Sequence, residues 1–183
     1  MPERSVLDIK LDRFFELLDT DNDGGIRESD VVSLATTLST AVGAQDPATE
    51  ARLHAALGAI WSTDLKAMDT DGNGAIDAGE YRLGVRRSLQ TDPHGFLGRM
   101  GTLMQAWTTL CDTDGDGVIS RDEYAAMYGN TFGVPRQSLD EAFTKLDRDG
   151  DGVLSREEIN AAVLDYFTSD DPNAPGNWIF GPA

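Results

Sequence analysis

Cysteine and histidine are scarce in this sequence. The one cysteine is Cys111, and the two histidines are His54 and His94. A single cysteine cannot form an intrachain disulfide, which excludes a disulfide scaffold and favours a reducing compartment. Two isolated histidines provide no His-rich metal cluster, and the sequence has no nucleophile elbow and no phosphate-binding loop. We therefore predict that the protein is not an enzyme.

Positive charge and long apolar runs are also lacking. Fifteen basic residues stand against 32 acidic residues, for a net charge of −17. Nucleic acids and anionic membranes select for Lys and Arg, so neither is expected as a partner. No apolar run approaches the ~20 residues of a membrane helix, and the N-terminal residues show no signal-peptide pattern. We expect a cytoplasmic protein. Hydrophobic residues make up 40% of the chain, which is enough to build a core.

Four twelve-residue segments repeat one spacing of acidic residues and glycine. We number them loop one (19–30), loop two (69–80), loop three (112–123) and loop four (147–158). Each has oxygen-bearing side chains at positions 1, 3 and 5, glycine at position 6 and a carboxylate at position 12, which is the EF-hand pattern. A hard cation such as Ca²⁺ requires six to eight oxygens at about 2.3–2.6 Å. The pattern therefore predicts Ca²⁺ sites, at least three of them competent.

The predicted ligands are the side chains at positions 1, 3, 5 and 12, the main-chain carbonyl at position 7, and the one acid at position 9. They are Asp19, Asp21, Asp23, Gly25 and Asp30 in loop one; Asp69, Asp71, Asn73, Ala75, Asp77 and Glu80 in loop two; Asp112, Asp114, Asp116, Val118 and Glu123 in loop three; and Asp147, Asp149, Asp151, Val153 and Glu158 in loop four. Because loops two to four have every ligand position filled, we expect three or four bound Ca²⁺ ions.

Loop one departs from the pattern at two positions. Asp30 is one methylene shorter than Glu, so it reaches an ion with two oxygens less easily and favours the lower coordination number of Mg²⁺. Arg27 at position 9 cannot be a ligand and places a cation near the ion. The acids at positions 1, 3 and 5 are intact. We expect loop one to bind a metal and to be the site that Mg²⁺ takes most readily.

The residues around the loops predict an all-α protein. Position 8 is a branched apolar residue in every loop, which predicts a short strand that pairs neighbouring loops; these residues are Ile26, Ile76, Ile119 and Leu154. Apolar residues recur at helical spacing before and after each loop. The result is eight helices in four helix-loop-helix units. Asp46-Pro47 predicts one helix start, and Ser138 with Glu141 predicts another as a capping box.

The spacing of the loops predicts two pairs in one compact body. Loop starts are separated by 50, 43 and 35 residues, so the first half has longer helices or linkers, including segment 43–47. We assign residues 1–90 to an N-terminal pair, 91–168 to a C-terminal pair and 169–183 to a tail. Only a short corner at 90–93 separates the pairs, which favours one compact body. We also expect a monomer.

Several features of the chain resemble one EF-hand family. The long first-half spacing, the Asp that closes loop one, and the tail with its Pro172, Pro175-Gly176 and Trp178-Ile179-Phe180 are similar to sarcoplasmic calcium-binding proteins and to calerythrin. The resemblance implies a compact cytosolic four-hand protein that buffers Ca²⁺. The alternative is a sensor that exposes an apolar groove to a target protein, for which no target is indicated.

The tail discriminates between the buffer and the sensor. Trp178, Ile179 and Phe180 are consecutive, and leaving such side chains exposed costs about 1.5–3 kcal/mol each. We therefore expect the tail to dock in the apolar space between the two halves. The tryptophans are interpreted as core aromatics rather than as the lining of a ligand cavity, and Cys111 as a buried structural thiol.

Overall fold

The computed structural model describes residues 4–43 and 46–181. Ala44 and Gln45 of the predicted linker, the first three residues and the last two residues of the tail lie outside the described residues. The described chain contains eight α-helices: α1 (Val6–Leu18), α2 (Glu28–Ala41), α3 (Pro47–Ile60), α4 (Ala78–Thr91), α5 (Pro93–Cys111), α6 (Arg121–Phe132), α7 (Arg136–Leu146) and α8 (Arg156–Thr168). Two short strands accompany them, β1 (Ile119–Ser120) and β2 (Val153–Leu154). The all-α prediction is confirmed.

Local sequence sets where the helices begin. Asp46 caps α3 by accepting from the amides of Ala48 and Thr49, at 3.0 and 3.1 Å, and Pro47 occupies the first turn as predicted. The capping box predicted at Ser138 is wrong. Helix α7 begins three residues earlier, at Arg136 with Pro135 as its N-cap residue, because proline has a helix-compatible φ and needs no amide partner there.

Most of the described residues between loops one and two are helical. After α3 the chain continues through a π-helical turn (Trp61–Leu65) and a 3-10 turn (Lys66–Met68) directly into loop two. The π turn places Asp64 inside the protein, where its carboxylate accepts two hydrogen bonds from Arg99 of α5, both at 2.7 Å. The Asp64 side chain is only 3% exposed and that of Arg99 is 29% exposed, so this bidentate ion pair links the two halves through a buried carboxylate.

Neighbouring loops pair through the apolar residue at position 8. Ile26 and Ile76 exchange main-chain hydrogen bonds of 2.9 and 3.0 Å across loops one and two. Ile119 lies opposite Leu154 in the antiparallel β1–β2 pair, which joins loops three and four. The predicted strand pairing at position 8 is therefore confirmed, and it places loop one beside loop two and loop three beside loop four.

The two halves share one core. Helix α3 packs along α5, α2 packs against α6, and α1 packs against α8. Buried residues from all eight helices form a single cluster, which confirms the compact body expected from the sequence. No helix in the described ranges 4–43 and 46–181 is long and apolar enough to cross a membrane.

The described part of the tail lies against this core. A 3-10 turn (Pro175–Trp178) is followed by Ile179 and Phe180, which are 2% and 1% exposed. The Phe180 ring contacts Phe14 of α1 at a centroid distance of 4.5 Å and Tyr166 of α8 at 4.8 Å. It therefore touches a helix from each half.

Candidate metal centres

Each loop brings three carboxylates together. The residues at positions 1, 3 and 12 place one oxygen each within 4.8 Å of one another; the groups are Asp19, Asp21 and Asp30; Asp69, Asp71 and Glu80; Asp112, Asp114 and Glu123; and Asp147, Asp149 and Glu158. Ligands on opposite sides of a Ca²⁺ ion lie at most about 5 Å apart, twice the metal–oxygen distance. The separations and the all-oxygen donor sets fit a hard divalent cation.

The glycine at position 6 closes each loop. Gly24, Gly74, Gly117 and Gly152 have φ values between 86° and 90°, a region that residues with a Cβ rarely adopt. This conformation turns the glycine amide toward position 1. In loop three the Gly117 amide donates to Asp112 Oδ2 at 3.0 Å, and the other loops repeat the bond at 3.0–3.1 Å. The first ligand is thus oriented by the loop itself.

The position-12 carboxylate is held at both oxygens. In loop three, Glu123 Oε1 accepts from the amide and the hydroxyl of Thr113, at 2.7 and 2.9 Å. Its Oε2 accepts from the amide of Ser120 at 2.9 Å. Burial alone would raise the pKa of Glu123, but the hydrogen bonds from Ser120 and Thr113 outweigh it and the pKa is lowered. The side chain is held ionised, as a metal ligand must be.

Loops two and four hold their position-12 glutamates in the same way. The Thr70 hydroxyl and amide lower the pKa of Glu80, to which they donate at 2.7 and 2.8 Å. For Glu158, burial raises the pKa, and hydrogen bonds from Ser155 and the Arg148 amide bring it below its ordinary value. Three of the four loops therefore present an ionised glutamate whose two oxygens are fixed.

Position 7 differs between the two pairs of loops. Gly25 and Ala75 face each other, and a Cβ added at Gly25 would come within 2.9 Å of the Ala75 Cβ. The first pair is therefore closely apposed and tolerates only small residues there, whereas the second pair has Val118 and Val153. A main-chain carbonyl is present at this position in every loop, whatever the side chain, and in loop one the Gly25 carbonyl accepts from Arg27 Nη1 at 3.3 Å.

The side chain at position 9 caps the outgoing helix in loops two, three and four. Asp77, a predicted ligand, accepts a hydrogen bond from the Glu80 amide at 2.8 Å and so caps α4. Ser120 and Ser155 cap α6 and α8 in the same manner. Asp77 is not among the three carboxylates that converge in loop two.

Loop one retains the convergent geometry with its shorter acid. Asp30 Oδ1 accepts from the Thr20 hydroxyl at 2.9 Å, and Oδ2 accepts from the Arg27 amide at 2.8 Å. Asp30 and Asp19 are 2% and 5% exposed. Asn22 at position 4 has a φ of 57°, where the other loops have glycine.

Sequence reasoning missed one class of residue in these loops. The hydroxyls of Thr20, Thr70 and Thr113 orient the position-12 carboxylate from position 2. Threonine recurs at position 2 in three of the four loops, and this recurrence in the sequence could have indicated a role for its hydroxyl.

Cys111, the two histidines and one core cavity lie outside the four loops. Cys111 is buried, and burial raises the pKa of its thiol, so it is protonated and unreactive at neutral pH. His94 is exposed, and His54 lies 3.8 Å from Glu50 on the surface of α3. A cavity lined by Phe14, Asp64 and other core residues measures about 10 Å³, room for one water molecule.

Three of the four helix-loop-helix units match a known protein family. The EF hand family matches residues 64–85, 111–128 and 139–164, which include loops two, three and four but not loop one. No curated protein sequence matches the chain.

Several solved structures share the fold. A calcium-binding protein from Streptomyces coelicolor, described in connection with prokaryotic calcium-mediated regulation, is 29% identical; the match covers 88% of this chain and 98% of that protein, with a TM-score of 0.73. Calcium-loaded apo-aequorin from Aequorea victoria is 21% identical over 91% of this chain and 92% of its own, also with a TM-score of 0.73. Magnesium-loaded apo-berovin, a ctenophore photoprotein whose three Ca²⁺-binding loops bind Mg²⁺, is 18% identical over 87% of each chain, with a TM-score of 0.69. The latter two show the fold alone.

Proposed function

We propose that this chain, three of whose loops match the EF hand family, acts as a Ca²⁺ buffer rather than as a sensor. It would lower and smooth the free Ca²⁺ concentration by binding three or four ions, without presenting a groove to a target. We place this activity in the cytoplasm and assign the protein no catalytic role and a monomeric state. Similarity to the sarcoplasmic calcium-binding proteins supports the same function.

The proposed ligands follow from the loop geometry. In loops two to four the side chains at positions 1, 3, 5 and 12 and the carbonyl at position 7 would hold Ca²⁺, with the glutamate contributing two oxygens. In loop one Asp30 would contribute fewer oxygens, which favours Mg²⁺ at that site. We assign Asp77 to Ca²⁺ only through water, since its carboxylate caps α4. Bound ions would neutralise carboxylates that otherwise repel one another, so metal binding should also stabilise the fold.

The observation that carries the buffer assignment is the position of the tail. A sensor must expose an apolar face when Ca²⁺ binds. Here Ile179 and Phe180 are buried among helices of both halves. The backbone also fits closely: a Cβ added at Gly176 would come within 2.3 Å of the Ala162 carbonyl oxygen of α8. The surface that a target helix would need is covered by the chain's own residues.

A regulatory role is the second candidate. It is favoured by the Streptomyces coelicolor neighbour, which is described in connection with calcium-mediated regulation. Under this reading the tail would leave the core when Ca²⁺ binds. The core cavity lined by Phe14 and Asp64, about 10 Å³ in volume, leaves no room for a large ligand at that place in the core.

Calorimetric titration with Ca²⁺, with and without millimolar Mg²⁺, tests the binding assignment, and a hydrophobic dye tests the buffer assignment. We expect three or four sites and no increase in dye fluorescence when Ca²⁺ is added. Two or fewer sites would contradict the ligand set. A large dye response to Ca²⁺ would favour the sensor.

A further inference from the structure

Arg27 occupies a position that the other loops use differently. It is the N-cap residue of α2, but its side chain makes no capping hydrogen bond, because a guanidinium has no acceptor. Asp77, Ser120 and Ser155 at the same position accept from the helix amide three residues on. The Arg27 side chain therefore does not cap its helix, unlike the position-9 side chains of the other three loops.

The Arg27 side chain turns back into loop one. Its Nη1 forms an ion pair with Asp23 Oδ2 and also donates to the Gly25 carbonyl oxygen at 3.3 Å. These two acceptors are the position-5 and position-7 ligands that the loop would offer to a metal. A single guanidinium nitrogen thus contacts two predicted ligands at once.

The position-5 side chains of the other loops make their contacts within the loop backbone or with another ligand. Asp116 and Asp151 accept from the amides of Val118 and Val153, both at 3.0 Å. Asn73 donates to Asp71 at 2.9 Å. Loop four also has an arginine, Arg148, but its guanidinium pairs with Asp165 of α8, which is not a ligand, at 2.6 Å.

We infer that Arg27 is a tethered competitor for the metal in loop one and determines the affinity of that site. In the metal-free loop the guanidinium neutralises Asp23 and engages the Gly25 carbonyl. A divalent ion must displace it from both acceptors and then tolerate a positive charge nearby. Loop one therefore fills after loops two, three and four, for a reason independent of the short Asp30. This inference rests on the proposed metal-binding function.

The test uses three variants and a reporter for each loop. Arg27→Gln removes the charge, and Arg27→Lys retains it. Arg148→Gln is the matched control, because it removes one positive charge beside loop four without freeing a ligand. The position-6 glycine amides are bonded to the position-1 carboxylates, so the ¹⁵N–¹H signals of Gly24, Gly74, Gly117 and Gly152 report the four loops separately during a Ca²⁺ titration.

In Arg27→Gln we expect the Gly24 transition to move to a lower Ca²⁺ concentration, by roughly two- to fivefold, as for the loss of a competing ion pair. The other three glycines should not move. Arg27→Lys should stay near the wild-type value, and Arg148→Gln should leave Gly24 unchanged. Without metal, Arg27→Gln should have a lower melting temperature than wild type, because Asp23 loses its ion-pair partner and keeps only hydrogen bonds within the loop, such as that from the Gly25 amide.

Two results would overturn the inference. One is a Gly24 transition that Arg27→Gln leaves in place, or that is missing in both proteins. The other is an equal shift in Arg148→Gln, which would indicate a general charge effect. Failure of the proposed function looks different: Gly74, Gly117 and Gly152 would not respond to Ca²⁺ in any of the proteins.

Discussion

The hydroxyl of Tyr128 donates a hydrogen bond to the main-chain carbonyl of Ile179 at 2.6 Å, and both residues are buried. Tyr124, one helical turn earlier on α6, donates to the neighbouring Trp178 carbonyl at 3.0 Å. Two tyrosines of the C-terminal half thus satisfy the main chain of the tail. The apolar contacts of Phe180 are thereby combined with polar contacts that fix where the tail lies.

Tyr128→Phe should lower the free energy of unfolding by about 1–3 kcal/mol, because the Ile179 carbonyl is left without its donor inside the core. Urea denaturation measures the change. Tyr124→Phe is the control: its bond is longer and only partly buried, so its loss should be smaller. Equal stability of Tyr128→Phe and wild type would mean that this bond does not hold the tail.

Removing residues 173–183 should expose the apolar surface between the halves. The Ca²⁺-loaded truncated protein is expected to bind a hydrophobic dye and to lose several kcal/mol of stability, since each large apolar side chain contributes about 1.5–3 kcal/mol when buried. Gly176→Ala offers a point variant with the same expected direction, because its Cβ would collide with the main chain of α8. Unchanged dye binding and melting temperature in the truncated protein would remove the basis for a closed buffer and strengthen the sensor.

Glu123→Gln and Glu158→Gln should each weaken one Ca²⁺ site so that calorimetry counts one ion fewer. Each change removes the charge of the only ligand expected to provide two oxygens. Glu157→Gln is the control, since it removes the same charge from an exposed residue beside Glu158. If either ligand variant retained the stoichiometry and affinity of wild type, the position-12 assignment would be wrong.

Asp30→Glu should raise the preference of loop one for Ca²⁺ over Mg²⁺. The added methylene brings the carboxylate far enough into the loop to bind an ion through both oxygens, which Ca²⁺ accepts and octahedral Mg²⁺ does not. Ca²⁺ titration at the Gly24 amide, with and without millimolar Mg²⁺, measures the change. Glu80→Asp in loop two is the reciprocal control and should shift that loop toward Mg²⁺. A crystal structure with Mg²⁺ in loop three and seven-coordinate Ca²⁺ in loop one would reverse the ranking.

Arg99→Met should destabilise the protein by about 3–5 kcal/mol, because it leaves the buried Asp64 carboxylate without its partner. Thermal or urea unfolding measures the loss. Arg136→Met is the control: Arg136 pairs with Asp122 and Asp140, whose side chains are 86% and 41% exposed, and such surface pairs contribute at most about 1 kcal/mol each. Similar losses in the two variants would show that the Asp64–Arg99 pair does not stabilise the contact between the halves.

The metal loops were predictable from the sequence because their geometry is local. All the ligands of one site lie within twelve residues, and glycine at position 6 requires a positive φ wherever the loop forms. The pairing of Ile26 with Ile76 followed from the repeat itself. The predicted start of α7 at Ser138 was wrong for a local reason as well, since Pro135 is compatible with the first turn and begins the helix earlier.

The tertiary structure alone decided how these local units meet. Nothing in the spacing of the chain places Asp64 opposite Arg99, or brings Phe180 against rings from α1 and α8, because these contacts join residues far apart in sequence. The direction of the Arg27 side chain is likewise a choice among rotamers that the repeat pattern does not specify. The ligands of each metal loop are determined by residues that are close in sequence. The packing of the core depends instead on which apolar faces of distant helices can be buried together.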